Sequence, residues 1–541
     1  MKKFIKRFYV RFLTYNPSLN VESIQAYRRL RHLNNKCSDY IEVARRLMLV
    51  ELRLSNHKFW GVIPNSYGAN LDLVLRQRLF DSMLYYKILP KLMLNASGFT
   101  PNTIPLPSIW LKWLVKNGIK IKYFSSMLAF YVYQLKLIKI GVKTMFSLFS
   151  NSFHSFEAHS AGYEVIIGLQ NNNLPNCNGN QIAGLGFLNW YKNNYLKNRK
   201  TITIAQSQKF ESARINDLLY TEKNYYPRLR SNICRIKFLL RAISITLITL
   251  LRSCFGAWYL PILMKEAMLL TYFKSLKSSE LARSYSFNNS NWIFRPLWTH
   301  YVETKKSSVV MMYYSTNMIS YKWKDNTTTP IYPTFETMSW PKYAVWDIEQ
   351  REFLLRLGQN YKNIEIVGPI DWEDSCEPIP ELPSNSVGVF DVSIYKDRLL
   401  LNIGYVPPYY TASLVRSFLL ACHRAITLNN KVMVLKTKRK VSKSFHSIYS
   451  KTIKELKQKE NVIILDSDIS ASRIIDKIDC FISIPYTSTA LIAASKNKPS
   501  AYYDAAGSLK TTKLHARNIE VFNNISLLSN WLKNTSDIYK H

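Results

Sequence analysis

Acidic residues are scarce in this sequence. Its 541 residues hold 36 Asp and Glu against 73 Lys and Arg, a formal net charge of +37. A surface so short of carboxylates attracts phosphate, whether in nucleic acid, anionic lipid or a phosphorylated substrate. An AT-rich coding bias is a second source of the same excess, and the many Asn and Tyr residues agree with it. Cysteine pairs are missing too: the seven Cys stand far apart with no C-x-x-C, and the nine His form no H-x-x-x-H. That excludes a disulfide framework and a zinc-motif site, and points to a reducing compartment. No P-loop, G-x-G-x-x-G, helix-turn-helix, RNP or finger pattern is present, so no specific nucleic-acid partner is expected. Long apolar runs are also lacking. In the block 234–273 the uncharged run from Ala242 to Leu251 is 10 residues, whereas a spanning helix needs about 20. Arg252 and Pro261 interrupt any longer span, which predicts interfacial or buried helices there. The start, MKKFIKRFYVRFLTYN, breaks its apolar residues with Lys6, Arg7 and Arg11 and is not a signal peptide. It reads as a basic aromatic helix on anionic lipid or as an amphipathic helix packed on the protein.

The chain is long enough for two or three domains. Helical periodicity dominates 1–150, predicting a helix-rich N-terminal region. From there to 370, strands and helices follow, with strands at Glu164–Leu169, Thr201–Ala205, Val309–Ser315, Tyr343–Trp346 and Ile364–Val367. Residues 371–386, DWEDSCEPIPELPSNS, hold five acids, three prolines and no Lys or Arg. In so basic a chain this reads as a linker. A second α/β unit fills 387–541, with strands at Val387–Val392, Lys431–Leu435, Val462–Leu465, Phe481–Ile484 and Pro499–Tyr503. Alternation of strands and helices predicts parallel sheets, whose ligands bind at the strands' carboxyl ends.

That rule selects residues. Lys436, Lys438 and Arg439 follow one strand. Tyr486, Thr487, Ser488 and Thr489 follow another, where Pro485 stops the strand and hydroxyl residues open a helix. A basic cluster and a helix N-terminus on one rim make a diphosphate site; a solvated loop beside an ordinary N-cap is the plainer reading. In the first α/β unit the rule selects Ser315, Thr316 and Asn317, then Trp346 and Asp347. Arg295, Trp298, His300 and Glu303 lie just upstream. Among these His300, Glu303 and Asp347 are candidate general bases, while Arg295, Trp298, Ser315, Asn317 and Trp346 are candidate cleft or acceptor contacts. Asp466-Ser467-Asp468 has the D-x-D spacing of some metal sites, but it lies between a strand and a helix, where Asp468 or Ser470 serves as a cap. No metal site is expected.

The segment Pro485-Tyr486-Thr487-Ser488, after FISI and before KPSAYYD, resembles the bacterial polysaccharide-biosynthesis proteins named for a Pro-Phe-Thr-Ser motif. Tyr486 stands where that motif has Phe. KTKRK and RPLWT…YYSTN also resemble that group, over about 285–515, and the layout is similar to the GT-B glycosyltransferases. The resemblance implies an α/β fold with two Rossmann-like domains facing a cleft, the C-terminal one binding a nucleotide-sugar. It implies a metal-independent transferase that needs no cofactor and takes the nucleotide-sugar as donor substrate. The acceptor would be a growing surface polysaccharide or lipid-linked glycan, and the place the cytoplasmic face of an anionic inner membrane. A nucleotide-sugar epimerase on the same fold is the alternative within enzymes. Outside them, it is a non-enzymatic basic protein bound to nucleic acid or membrane.

Overall fold

In the computed structural model the chain is described at residue 46 and over 67–85, 103–154, 163–168, 176–178, 181–183, 186–196, 204–205, 214–215, 218–221, 226–289, 292–316, 321–327, 333–370, 378–396, 409–511 and 519–538. The basic N-terminal stretch and residues 371–377 of the acidic linker lie outside the described residues.

Short runs, mostly apolar, form the strands. Those inside the sheets are buried on both faces, as parallel sheets require, while the edge strands Ile364–Ile366, Val462–Leu465 and Glu520–Phe522 are partly exposed. The first sheet holds β1 (Glu164–Ile167), β2 (Ser284–Asn288), β3 (Ser308–Met312), β4 (Tyr343–Val345) and β5 (Ile364–Ile366). They lie side by side in chain order, every pairing parallel. The second sheet holds β6 (Ser386–Phe390), β7 (Val432–Lys436), β8 (Val462–Leu465), β9 (Cys480–Ser483), β10 (Ser500–Tyr503) and β11 (Glu520–Phe522). Its order is β8-β7-β6-β9-β10-β11, again all parallel. This is the doubly wound order, with a reversal between β6 and β9. Among the described strands only this second sheet has such a reversal.

With the first sheet lie α1 (Leu71–Tyr85), α2 (Ser108–Lys116), α3 (Tyr123–His154), α4 (Asn232–Cys254), α5 (Leu260–Lys274), α6 (Trp298–Thr304) and α7 (Ile348–Arg356). With the second lie α8 (Ala412–Thr427), α9 (Ser447–Lys457), α10 (Ala471–Ile475), α11 (Ser488–Ser495) and α12 (Ile525–Ile538). The expected architecture of two parallel-sheet lobes with a helix-rich N-terminal part is the observed one. The boundary at 150 is not: α3 runs through it to His154, and α1, α3 and α4 all pack on α5. The helix-rich region is therefore continuous with the first lobe. Residue 386, the last of the expected linker, already pairs with Val432 as the first residue of β6.

The block 234–273 divides into two helices, one buried and one largely exposed. α5 is buried along almost its whole length. Pro261 sits in its first turn, where a missing N–H costs nothing. Phe273 at its far end stacks on Trp298, ring centroids 4.0 Å apart. By contrast, α4 buries only Phe238, Ala242, Ile245 and Thr249. No helix among the described residues is long and apolar enough to cross a membrane.

The two lobes touch along one side of the cleft. Trp323 of the first lobe bridges antiparallel to Leu509 of the second. The Lys324 N–H donates to the Ser508 carbonyl at 3.0 Å, and the Lys510 N–H to the Lys322 carbonyl at 2.9 Å.

Candidate active site

Register decides which side chains meet. Phe390 at the end of β6 lies opposite Lys436 of β7 on one side and Ser483 of β9 on the other. Asp391, Lys438 and the Pro485–Thr489 turn therefore leave the sheet at one edge, at the reversal point where ligands of such sheets bind. A cavity of about 330 Å³ opens there, a size suited to a small ligand. From the second lobe Asp391, Lys436, Lys438 and Tyr486–Thr489 line it. From the first lobe come Ser315, Thr316 and Tyr321.

The turn into α11 explains the hydroxyl residues. Tyr486 has φ +65°, an unusual backbone for a bulky side chain. Its carbonyl accepts from the Thr316 hydroxyl at 3.3 Å across the lobes. Thr487 is the N-cap of α11, yet its side chain caps nothing in the helix. Its hydroxyl donates back to the Ile484 carbonyl at 2.8 Å instead. The first-turn N–H groups, which have no partner within a helix, thus stay free of the N-cap side chain. The Ser488 hydroxyl lines the cavity and makes no hydrogen bond to the described residues. The helix start is arranged as an anion site.

Asp391 lines the same cavity beside the basic loop and is buried. One oxygen accepts the Lys438 backbone N–H at 3.1 Å, and the other the Tyr449 hydroxyl at 2.6 Å. Ser393 accepts the Arg439 N–H at 3.2 Å, so two residues after β6 hold the backbone of the basic loop. Burial pushes Asp391 up to about 6, against the opposing pull of the Tyr449 and Lys438 hydrogen bonds and the charges of Lys436 and Lys438. Desolvation of its ammonium, then the charges of Arg439 and Lys436, lowers Lys438 from the ordinary lysine value although the residue as a whole is exposed. An anion placed between Lys436 and Lys438 relieves the repulsion of their two ammonium groups.

The remaining sequence-selected residues stand elsewhere or are engaged. Arg439 is turned away from the cavity: it donates to the Tyr395 hydroxyl and lies over that ring, 5.3 Å from its centroid. Asp347 is buried as the N-cap of α7, accepting from the Gln350 N–H at 2.9 Å. Trp346 is buried and donates its indole N–H to the Tyr313 carbonyl at 2.6 Å. Trp298 is core, stacked on Phe273. Arg295 is buried in an ion pair with Glu303 and bonds the Thr299 hydroxyl at 2.9 Å. His300 does not line the cavity, and burial, then the Arg295 charge, lowers it to about 3, leaving it a weak base. The upstream cluster is thus a packing unit around α6, and no base from it reaches the cavity. Asn317 lies outside the described residues. The D-x-D pair forms a turn in which the Asp468 N–H donates to Asp466 at 2.9 Å. Ser470, not Asp468, caps α10, and among the described residues no group of His, Cys, Asp and Glu is placed to hold a metal.

Sequence reasoning missed Asp391 and the aromatic wall. Asp391 directly follows the strand VGVF, so the carboxyl-end rule that selected Lys436 selects it equally. The Tyr409-Tyr410 pair belongs to no motif that marks it in the sequence. In the fold Tyr410 lines the cavity and donates to the Pro485 carbonyl at 2.6 Å, while Tyr409 donates to buried Asp504 at 2.7 Å.

No curated protein matches the sequence significantly. Solved structures with a similar chain course include the wall teichoic acid polymerase TagF, at 11% identity over 75% of this chain and 90% of that one, TM-score 0.37. A variant of S. aureus TarM, in complex with fondaparinux, alpha-GlcNAc-glycerol and UDP, is similar at 10% identity over 50% of this chain and 52% of that one, TM-score 0.31. The Methanocaldococcus jannaschii UDP-GlcNAc 2-epimerase in complex with UDP-GlcNAc and UDP is similar at 9% identity over 69% of this chain and 92% of that one, TM-score 0.34. Likeness at these levels leaves the chemistry open. Residues 248–532, more than half of the chain, match the family described as "Polysaccharide biosynthesis PFTS motif protein". That match takes in α5, the cavity-lining residues, the motif turn at 485–488 and every strand of the two sheets but β1, and the chain belongs to this PFTS-motif family of polysaccharide biosynthesis.

Proposed function

We propose that the protein is a glycosyltransferase that moves a sugar from a nucleotide-sugar donor to a growing surface polysaccharide or lipid-linked glycan at the cytoplasmic face of the inner membrane. The observation that carries this reading is the cavity at the β6/β9 reversal. There, Lys436, Lys438 and the unblocked start of α11 converge with the free Ser488 hydroxyl. The donor diphosphate lies on this rim. As the glycosidic bond to the sugar breaks, negative charge grows on the leaving phosphate, and the ammonium groups and helix N–H groups stabilise it where it forms. No metal or cofactor takes part in this scheme. The acceptor hydroxyl enters from the side of Ser315 and Thr316. Asp391, the one carboxylate among the described lining residues, accepts its proton; a base near neutrality suits that task. The base was expected in the first lobe, and this reading moves it to the second.

A thermal-shift screen of UDP-, GDP-, dTDP- and CMP-sugars, followed by assay of transfer to a membrane-extracted acceptor, tests the proposal. One nucleotide class should stabilise the protein saturably, and product should form only with acceptor. Conversion of the donor without acceptor replaces transfer by epimerisation. No saturable nucleotide binding, with salt-sensitive binding of polyanions instead, ends the enzyme reading.

A further inference from the structure

Helices α3 and α4 carry apolar side chains on the side facing away from the protein. On α3, Phe124 (79% exposed), Leu128, Leu135 and Phe146 recur at spacings that place them along one line of the helix. On α4, Ile236, Leu240 (62% exposed), Leu247 and Leu251 do the same, while the opposite side holds the buried residues that face the protein. A globular helix ordinarily presents a polar outer face; α4 is apolar on both. The two helices are neighbours. Arg235 near the start of α4 donates to the Ser152 carbonyl near the end of α3 and lies over Phe153, and both helices rest on buried α5. They also pack on each other, and each leaves its own stripe exposed, more apolar surface than the isolated residues any protein carries. At 32 and 23 residues the helices are about 48 and 35 Å long at 1.5 Å per residue. The stripe of α4 ends at the α4–α5 turn, where Phe255 is 88% exposed.

Charge names the occupant. Neither helix contains an acidic residue, in a chain that has 36. Lys139 and Lys143 edge the stripe of α3, and Lys237, Arg241 and Arg252 edge that of α4, all exposed. An apolar stripe with a purely basic border matches the headgroup and acyl layers of an anionic bilayer. A second copy of the chain meeting it face to face brings like charges together. Since neither helix is apolar enough to span, the contact is one with a single leaflet.

We infer that the α3–α4 face is a monotopic membrane-docking surface that seats the protein on anionic lipid. This deepens the proposed function by naming the surface on which a lipid-linked acceptor is met, and rests on that reading only for which membrane is meant.

The test uses the full chain and flotation with two vesicle types, phosphatidylcholine alone and an equal mixture with phosphatidylglycerol. Affinity for UDP-, GDP-, dTDP- and CMP-sugars and solution mass are measured on the same samples. Wild type should float with the mixed vesicles and far less with phosphatidylcholine. Leu240→Glu with Leu247→Glu, and separately Leu128→Glu with Leu135→Glu, should each reduce partition about tenfold or more. These positions are exposed, and an unchanged melting temperature confirms folding. Lys237→Gln with Arg241→Gln should remove the preference for anionic vesicles without abolishing the apolar contribution. Wild-type flotation of all three variants overturns the inference. So does a wild type that ignores vesicles but forms a dimer that the same substitutions dissolve. Lost donor binding with intact flotation refutes the glycosyltransferase reading alone.

Discussion

The Tyr486 hydroxyl accepts the backbone N–H of Lys322 at 2.6 Å, joining the motif turn of the second lobe to the first. This tyrosine stands where the family motif has phenylalanine, so the departure supplies a hydrogen bond that phenylalanine lacks. Its ring also meets Tyr321 edge-on at 4.8 Å. Replacing Tyr486 with Phe keeps the ring and removes the bond, worth about 0.5–1.5 kcal/mol. Donor affinity should weaken by up to about tenfold, with turnover at saturation largely kept. Calorimetric titration of wild type and variant checks this, and equal affinities would show that the bond does not help form the cavity.

Asp391 predicts opposite pH trends for binding and turnover. Its carboxyl is raised to about 6 by burial. Above that value it is an anion, which in the proposed mechanism faces the donor phosphate, and below it neutral. Donor affinity should therefore rise as pH falls through about 6 while turnover falls with loss of the base. For folding the sign is the same as for binding. A raised acid contributes stability that is complete below its unfolded value of 3.8 and is lost as pH rises through about 6. Asp391→Asn should flatten the affinity profile, leave the protein no less stable at neutral pH, and cut turnover by about 100-fold or more. A variant that retains wild-type turnover removes Asp391 as base.

Ser488→Ala deletes a hydroxyl that makes no hydrogen bond to the described residues. A hydrogen bond to a charged acceptor is worth about 1.5–3 kcal/mol, so donor binding or turnover should fall by roughly one to two decades with folding intact. Lys438→Met should act in the same direction. Arg439→Met should not, because Arg439 is engaged with Tyr395. If Arg439→Met matched Lys438→Met in donor titrations, the loop would have to re-aim its guanidinium on binding.

Chelation separates two readings of the acidic turn at 466–468. In the proposed mechanism the donor's charge is met by Lys436, Lys438 and the α11 start, so turnover measured with and without EDTA should agree. Activity lost to EDTA and restored by manganese would assign Asp466 and Asp468 to a metal.

Gly388 lies opposite Phe481 where β6 pairs with β9, and a Cβ there would overlap the Phe481 ring. Gly388→Ala should cost about 1–3 kcal/mol of stability by overpacking, visible as a lower melting temperature of the second lobe. Because Phe390 and Ser483, at the cavity edge of the same pair, shift with it, donor affinity should drop as well. An unaltered melting curve would mean that the sheet yields at this point.

Local chemistry made much of the molecule legible. Uninterrupted apolar runs bounded by Pro, Gly and charged loops announce buried parallel strands, and β6–β10 lie within a residue or two of where the pattern puts them. Proline after FISI and hydroxyl residues after proline announce a strand end and a helix start whatever surrounds them. The motif, the basic loop and the linker's composition are equally properties of short segments. Strand order is not, because it depends on pairings between residues a hundred positions apart. Only that order sets Phe390 between Lys436 and Ser483 and thereby makes Asp391 part of the cavity. Side-chain direction is likewise settled by neighbours. Arg439 and Lys438 look alike in KTKRK, yet Tyr395 draws one away while Asp391 holds the other's backbone. Arg295, Trp298, Glu303 and Asp347 have the chemistry of a site, but burial gives each a partner, an ion pair, a stacked ring or a helix cap. The apolar outer faces of α3 and α4 appear only once α5 has filled the core between them, since periodicity shows that a helix has an apolar stripe and packing decides which stripe is left outside.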